Sequence, residues 1–217
     1  MKFVKLAALA VAMVYGTADV EAAVITFQTG YSAAGAQTSA IAYRDVVDAA
    51  VANSTHSTVL SNYDIVSNQS LFGAGANNIA FKSTINFGLA ASGSYSFRAG
   101  VDFGNGGAVF LDGQAVDYKT SDMWWAQSYD NTSSVFTVNN KQLSAGNHTL
   151  TIYGLEGCCD GGQQVQFSAN GGAFQSFSAN TLQLTAAVPE PETYAMMLGG
   201  LGLVGAVARR RRNRAKN

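Results

Sequence analysis

Proline is absent from the first 188 residues, and cysteine is confined to one adjacent pair, Cys158 and Cys159. With no other thiol in the chain, no disulfide framework can tie distant segments together. His56 and His148 are the only histidines, and no second Cys or His pair stands at zinc-ligand spacing. No Ser-His-Asp arrangement can be read from so few groups. Over residues 23–187 there are five basic and ten acidic side chains. A segment this acidic is a poor partner for nucleic acid or anionic membranes. Glu156 is the only glutamate there, and nothing in the sequence singles out two carboxylates as a catalytic pair. No catalytic residues are expected, and the chain reads as a non-enzyme. The Gly104-Asn105-Gly106-Gly107 run precedes a strand pattern, where a phosphate-binding loop requires a helix.

Long apolar runs are missing too. The longest uncharged apolar stretch near the C-terminus, Tyr194 to Ala208, carries Gly199, Gly200, Gly202 and Gly205. As a helix it would span about 22 Å against a hydrocarbon core of about 30 Å. It makes a poor permanent anchor and an adequate stop for a chain in transit. Arg209, Arg210, Arg211 and Arg212 follow it, and a basic cluster of this kind stays cytoplasmic. At the other end, Lys2 and Lys5 precede an apolar stretch from Leu6 to about Val14, and Val20-Glu21-Ala22 fits a signal-peptidase site. Residues 1–22 therefore read as a signal peptide, 23–187 as the exported domain, and 188–217 as a tail. The body is sent out while the C-terminus is held, for a time, in the inner membrane. The expected first partner is signal peptidase.

The tail begins Val188-Pro189-Glu190-Pro191-Glu192, an extended and accessible peptide because neither proline fits a helix or a central strand. Pro189, Glu190 and Pro191, then an apolar run, then the arginine cluster resemble the PEP-CTERM sorting signal of Gram-negative bacteria. The resemblance implies processing by an exosortase, an enzyme of the membrane, and export to the cell surface or extracellular space. It also implies a link to exopolysaccharide and biofilm. The Glu156-Gly157-Cys158-Cys159-Asp160-Gly161 segment resembles a PEP-CTERM subfamily marked by a Cys-Cys-x-Gly sequence.

The body is rich in Gly, Ser, Thr, Asn and aromatics, which favours strands and turns. Apolar residues alternate over Ser94 to Val101, Thr149 to Ile152, Gln164 to Phe167, and at Leu182 and Leu184. Turn signals separate them at Asn105-Gly106, Asp112-Gly113, Ala145-Gly146-Asn147 and Asn170-Gly171-Gly172. From Ser39 to Asn53 the apolar spacing is helical instead. The expected fold is mainly β, a β-sandwich or jelly roll with one short N-terminal helix, flanked by the signal peptide and a C-terminal hydrophobic sorting helix. Tyr95 to Phe177, with its Asp112-Gly113 hairpin and the stretch Leu143 to Tyr153, resembles the PA14-type β-sandwich. That family includes adhesins and carbohydrate-binding modules, some of which hold sugar through calcium. Those members carry two adjacent aspartates where this chain has Asp102-Phe103.

Three features could carry chemistry. Trp124 and Trp125 lie in a polar loop flanked by Tyr118 and Tyr129. Aromatic faces suit the apolar faces of sugars, and one tryptophan of the pair is expected to anchor the loop while the other stays available. Asp102, Asp112 and Asp122 offer the oxygens calcium takes, without the spacing of an EF-hand. Cys158 and Cys159, in an oxidising compartment, admit a vicinal disulfide acting as a local clip, a rigid apolar platform under a ligand, or bridges to other chains or redox chemistry. The expectation is a noncatalytic polysaccharide-binding protein. A structural matrix protein without a ligand site is the rival. A hydrolase, third, would need two carboxylates facing across about 5–9 Å.

Overall fold

In the computed structural model, which describes residues 22–183, 199–202 and 205, the chain opens with β1 (Val24–Tyr31), α1 (Ala40–Val51), β2 (His56–Leu60) and α2 (Asn68–Phe72). There follow β3 (Ile79–Leu89), β4 (Gly93–Gly100), β5 (Asp102–Phe103), β6 (Gly107–Leu111), β7 (Gln114–Lys119) and β8 (Met123–Trp124). The last strands are β9 (Val135–Leu143), β10 (Gly146–Glu156), β11 (Gln164–Ala169) and β12 (Gln175–Ser176). A six-stranded sheet runs β2-β1-β3-β10-β6-β7, and a four-stranded sheet runs β12-β11-β4-β9. A separate pair joins β5 to β8. These residues lie in a compact unit spanning Val20–Thr185.

Alternation makes the sandwich. Tyr95, Phe97 and Ala99 of β4, Leu150 and Ile152 of β10, and Val165 and Phe167 of β11 turn into one core shared by the two sheets. Phe177 completes it, with its ring centroid 4.9 Å from Phe167 and 5.5 Å from Phe87. The other face of the six-stranded sheet is covered by α1. Ser39 caps that helix, its Oγ accepting from the Ala42 N–H. Tyr43, Val47 and Val51, four residues apart, pack on Ala80, Ala108, Phe110, Tyr153 and Leu155. Strand β6, GAVFL, is buried at every position, because the opposing sheet covers one of its faces and α1 the other.

Two expectations need correction. The body has a second helix, the five-residue α2, held by a capping box at Ser67 and Ser70. Leu182 lies in no strand: its φ is 48°, and its carbonyl accepts from Gly88 at a turn. Leu184, residues 1–21, Pro189, Glu190, Pro191 and Arg209 to Arg212 lie outside the described residues. Towards the C-terminus Gly199, Gly200, Leu201, Gly202 and Gly205 are helical. Among the described residues no helix is long and apolar enough to cross a membrane.

Candidate functional site

A cleft of about 550 Å³ opens where β10 ends and β5 pairs with β8. The pairing sets Asp102 opposite Trp124 and Phe103 opposite Met123. Phe103 and Met123 are fully buried and pin the pair to the core. The register then leaves Asp102 and Trp124 to line the cleft, since neighbours along a strand point to opposite faces.

The two tryptophans part ways. Trp124 is 67% exposed and forms one wall of the cleft. Trp125 is 5% exposed. It is held by its N–H on the Val101 carbonyl, and its ring occupies the space where a side chain on Gly100 would sit. Among the described residues its Nε1 has no hydrogen-bond partner. Trp125 therefore anchors the loop and cannot offer a face to a ligand, which removes it from the candidate binding residues.

Glu156-Gly157-Cys158-Cys159 also line the cleft, and each residue of this stretch has a definite role. Glu156 is 3% exposed; its Oε2 accepts from Gly104 N–H at 2.5 Å and its Oε1 from Cys158 N–H at 2.7 Å. The Gly157 carbonyl accepts from Asn78, and the Cys159 N–H donates to Ala76. Cys158 and Cys159 are bonded to each other, both exposed. The Asp160 carboxylate accepts from the N–H groups of Asn68 and Gln69 at 3.1 and 2.7 Å, tying the stretch to α2. Gly161 is required because a Cβ there would collide with the Asp102 carboxylate.

Asp102 and Asp122 both line the cleft. Burial, then the negative charges of Glu156, Asp122 and Asp160, push the Asp102 carboxyl up to about 7. Burial also raises Glu156, against the lowering effect of its backbone hydrogen bonds. The expected calcium trio is not assembled. Asp112 sits at the β6–β7 turn, where its carboxylate accepts from Thr149 N–H at 2.9 Å and meets His148 Nδ1 at 2.8 Å. Glu156 and Asp160 spend their oxygens on backbone N–H groups, which leaves Asp102 and Asp122 as the acids facing the cleft. Calcium takes six to eight oxygens, and among the described residues no three acidic, His or Cys side chains converge to hold a metal. The residues present do not fit the ion.

The flanking tyrosines are elsewhere. Tyr118 lies on β7, beside Ser39 and Ile41 of the α1 start, in a different cleft. Tyr129 is covered by Arg98, whose guanidinium lies 3.8 Å from the ring centroid, and its hydroxyl donates to Gln164. Neither joins Trp124. Glu156, Asp160 and Asn105 are not among the site residues expected from the sequence. The signal for Glu156 was present, since a lone glutamate beside two cysteines and two glycines stands out in so glutamate-poor a body. Asn105 is placed only by the tertiary fold, its carbonyl accepting from the Tyr43 hydroxyl at 2.7 Å.

Residues 187–212 match the family model described as the PEP-CTERM protein-sorting motif. The chain carries a PEP-CTERM sorting signal. No curated protein matches the chain at a significant level. Among solved structures, the body is similar to a PA14 sugar-binding domain from an RTX adhesin, at 15% identity over 78% of this chain and 100% of that one, TM-score 0.49. It is similar to the PA14 domain of the MpAFP antifreeze protein, at 13% identity over 77% and 92%, TM-score 0.47. A Candida glabrata epithelial adhesin A domain, solved with β-lactose, matches at 10% identity over 76% and 90%, TM-score 0.47. PA14 domains are thus among the structural neighbours of the chain's mainly β body.

Proposed function

We propose that this PEP-CTERM protein is exported, processed at its tail by an exosortase, and binds polysaccharide noncatalytically at the cell surface or in the extracellular matrix. The observation that carries the binding reading is the exposed Trp124 ring standing as one wall of an acid-lined cleft. An indole face suits the apolar face of a sugar ring, while Asp102 and Asp122 can accept from its hydroxyls. Cys158 and Cys159 stiffen the part of the cleft they line, so the cleft is formed before a ligand arrives. A noncatalytic role is supported by Glu156, whose oxygens are both engaged by backbone N–H groups. The exopolysaccharide of the producing cell, and its biofilm, are the matching ligand and setting.

The test is a titration of the full chain, in a detergent without a sugar headgroup, with that exopolysaccharide, followed by tryptophan fluorescence. Wild type should give a saturable change, and Trp124→Ala should weaken binding about tenfold or more, as loss of an aromatic anchor does. The signal should survive chelator. Absence of any saturable change in folded protein would replace this reading with a structural matrix protein.

A further inference from the structure

A second cleft, of about 240 Å³, has no assigned role. Its wall is bonded directly to the wall of the first. Ala76 and Asn78, on the segment that lines it, hydrogen-bond Cys159 and Gly157, which line the Trp124 cleft. The exposed Cys158–Cys159 pair belongs to this hydrogen-bonded seam.

The second cleft combines amide and hydroxyl groups with a larger apolar surface. No Asp, Glu, Lys or Arg lines it. At its base Asn68 is 3% exposed. Its Oδ1 accepts from the Thr29 hydroxyl at 2.5 Å and its Nδ2 donates to the Gly75 carbonyl at 2.8 Å. An amide has two N–H donors and an oxygen with two lone pairs. Asn68 is therefore held in place in the cleft lining by these bonds. The His56 ring is held against Phe72, with centroids 5.1 Å apart and planes 13° apart. Tyr31, 74% exposed, stands at the rim, with Asn77 and Asn78 beside it. One fixed amide, the Asn77 and Asn78 side chains and an open aromatic ring suit a neutral polyhydroxylated ring, and the volume admits one hexose.

We infer that this cleft is a second glycan subsite, and that the protein grips an internal stretch of a neutral polysaccharide laid across the Cys158–Cys159 seam instead of a single terminal sugar. The inference rests on the reading of the Trp124 cleft as a sugar site. Each cleft then contributes part of the binding energy, and a chain long enough to enter both binds as one ligand.

The experiment is calorimetry on the full chain with oligosaccharides graded by size, from monosaccharide to long fragments, made by partial hydrolysis of the producing cell's extracellular polysaccharide. Affinity should rise about tenfold or more at the length that first reaches both clefts. Tyr31→Ala should remove that rise and leave the shortest ligands unaffected, whereas Trp124→Ala should weaken every length. The Tyr31 side chain is largely in water, so the variant keeps the fold. Equal affinity of wild type and Tyr31→Ala at every length overturns the second subsite and leaves the Trp124 site standing. Binding indifferent to Trp124→Ala, or none at any length, overturns both.

Discussion

Asp102 is the residue whose protonation the fold alters most visibly. Its carboxyl is pushed up to about 7, first by burial and then by the charges of Glu156, Asp122 and Asp160, against about 3.9 in an unfolded chain. The native state therefore holds this proton more tightly than the unfolded state. The stability it contributes is complete below about pH 4 and is lost as pH rises through about 7. Asp102→Asn keeps the shape and removes the titration. Thermal unfolding between those limits should show wild type losing stability relative to the variant as pH rises. Parallel curves would mean that the carboxyl titrates as it does in water. The sequence marked Asp102 only as an acid beside Phe103. Its perturbation needs the end of β10, which lies 54 residues further along the chain at Glu156.

At the scale of elements, the β6–β7 hairpin shows why a residue singled out for calcium belongs to the scaffold. Asp112 and Gly113 both take positive φ, at 51° and 76°, as a tight two-residue hairpin turn demands. The Asp112 carboxylate then clasps β10 through Thr149 and His148. Burial alone would lower the His148 pKa, but Asp112 and the Ser144 carbonyl outweigh it and raise the value above normal. Both ring nitrogens face acceptors, so the imidazolium is the form that satisfies them. The stabilisation is complete below about pH 6.5 and fades as pH rises through the folded value. Asp112→Asn should lower the His148 pKa in an NMR titration of the imidazole protons; an unchanged value would exclude the pair as the cause. The hairpin was legible from Asp-Gly, and α1 from its four-residue spacing. Helix α2 was not, because five residues carry no period and its N-terminus depends on Asp160 from across the fold.

For the whole molecule, the sandwich core places the clefts. Phe177 lies among Phe87, Phe97 and Phe167 and is fully buried. Phe177→Ala should cost about 3–5 kcal/mol, read as a lower denaturant midpoint at unchanged slope. A near-wild-type midpoint would show that this ring cluster does not hold the sheets together. The same core buries Tyr63, whose hydroxyl lies 2.5 Å from Ser83 Oγ and 3.2 Å from Gln163 Oε1. That contact links residues 100 positions apart and had no signal in local pattern.

The sequence by itself determined the mainly β class, the helix at Ser39, the turns at Asn-Gly and Asp-Gly, and the C-terminal sorting signal. Each of these depends on residues close together in the chain, where period, cap, turn chemistry and motif order act directly. Tertiary structure alone decided which tryptophan is available, because burial is settled by the space above Gly100 and the register of β5 against β8. It also decided that Asp102 meets Asp122 and Glu156 while Asp112 does not, and that the Cys-Cys stretch hydrogen-bonds the segment around Ala76 and Asn78. Those outcomes follow from long-range strand pairing, which brings side chains together without regard to their distance along the chain.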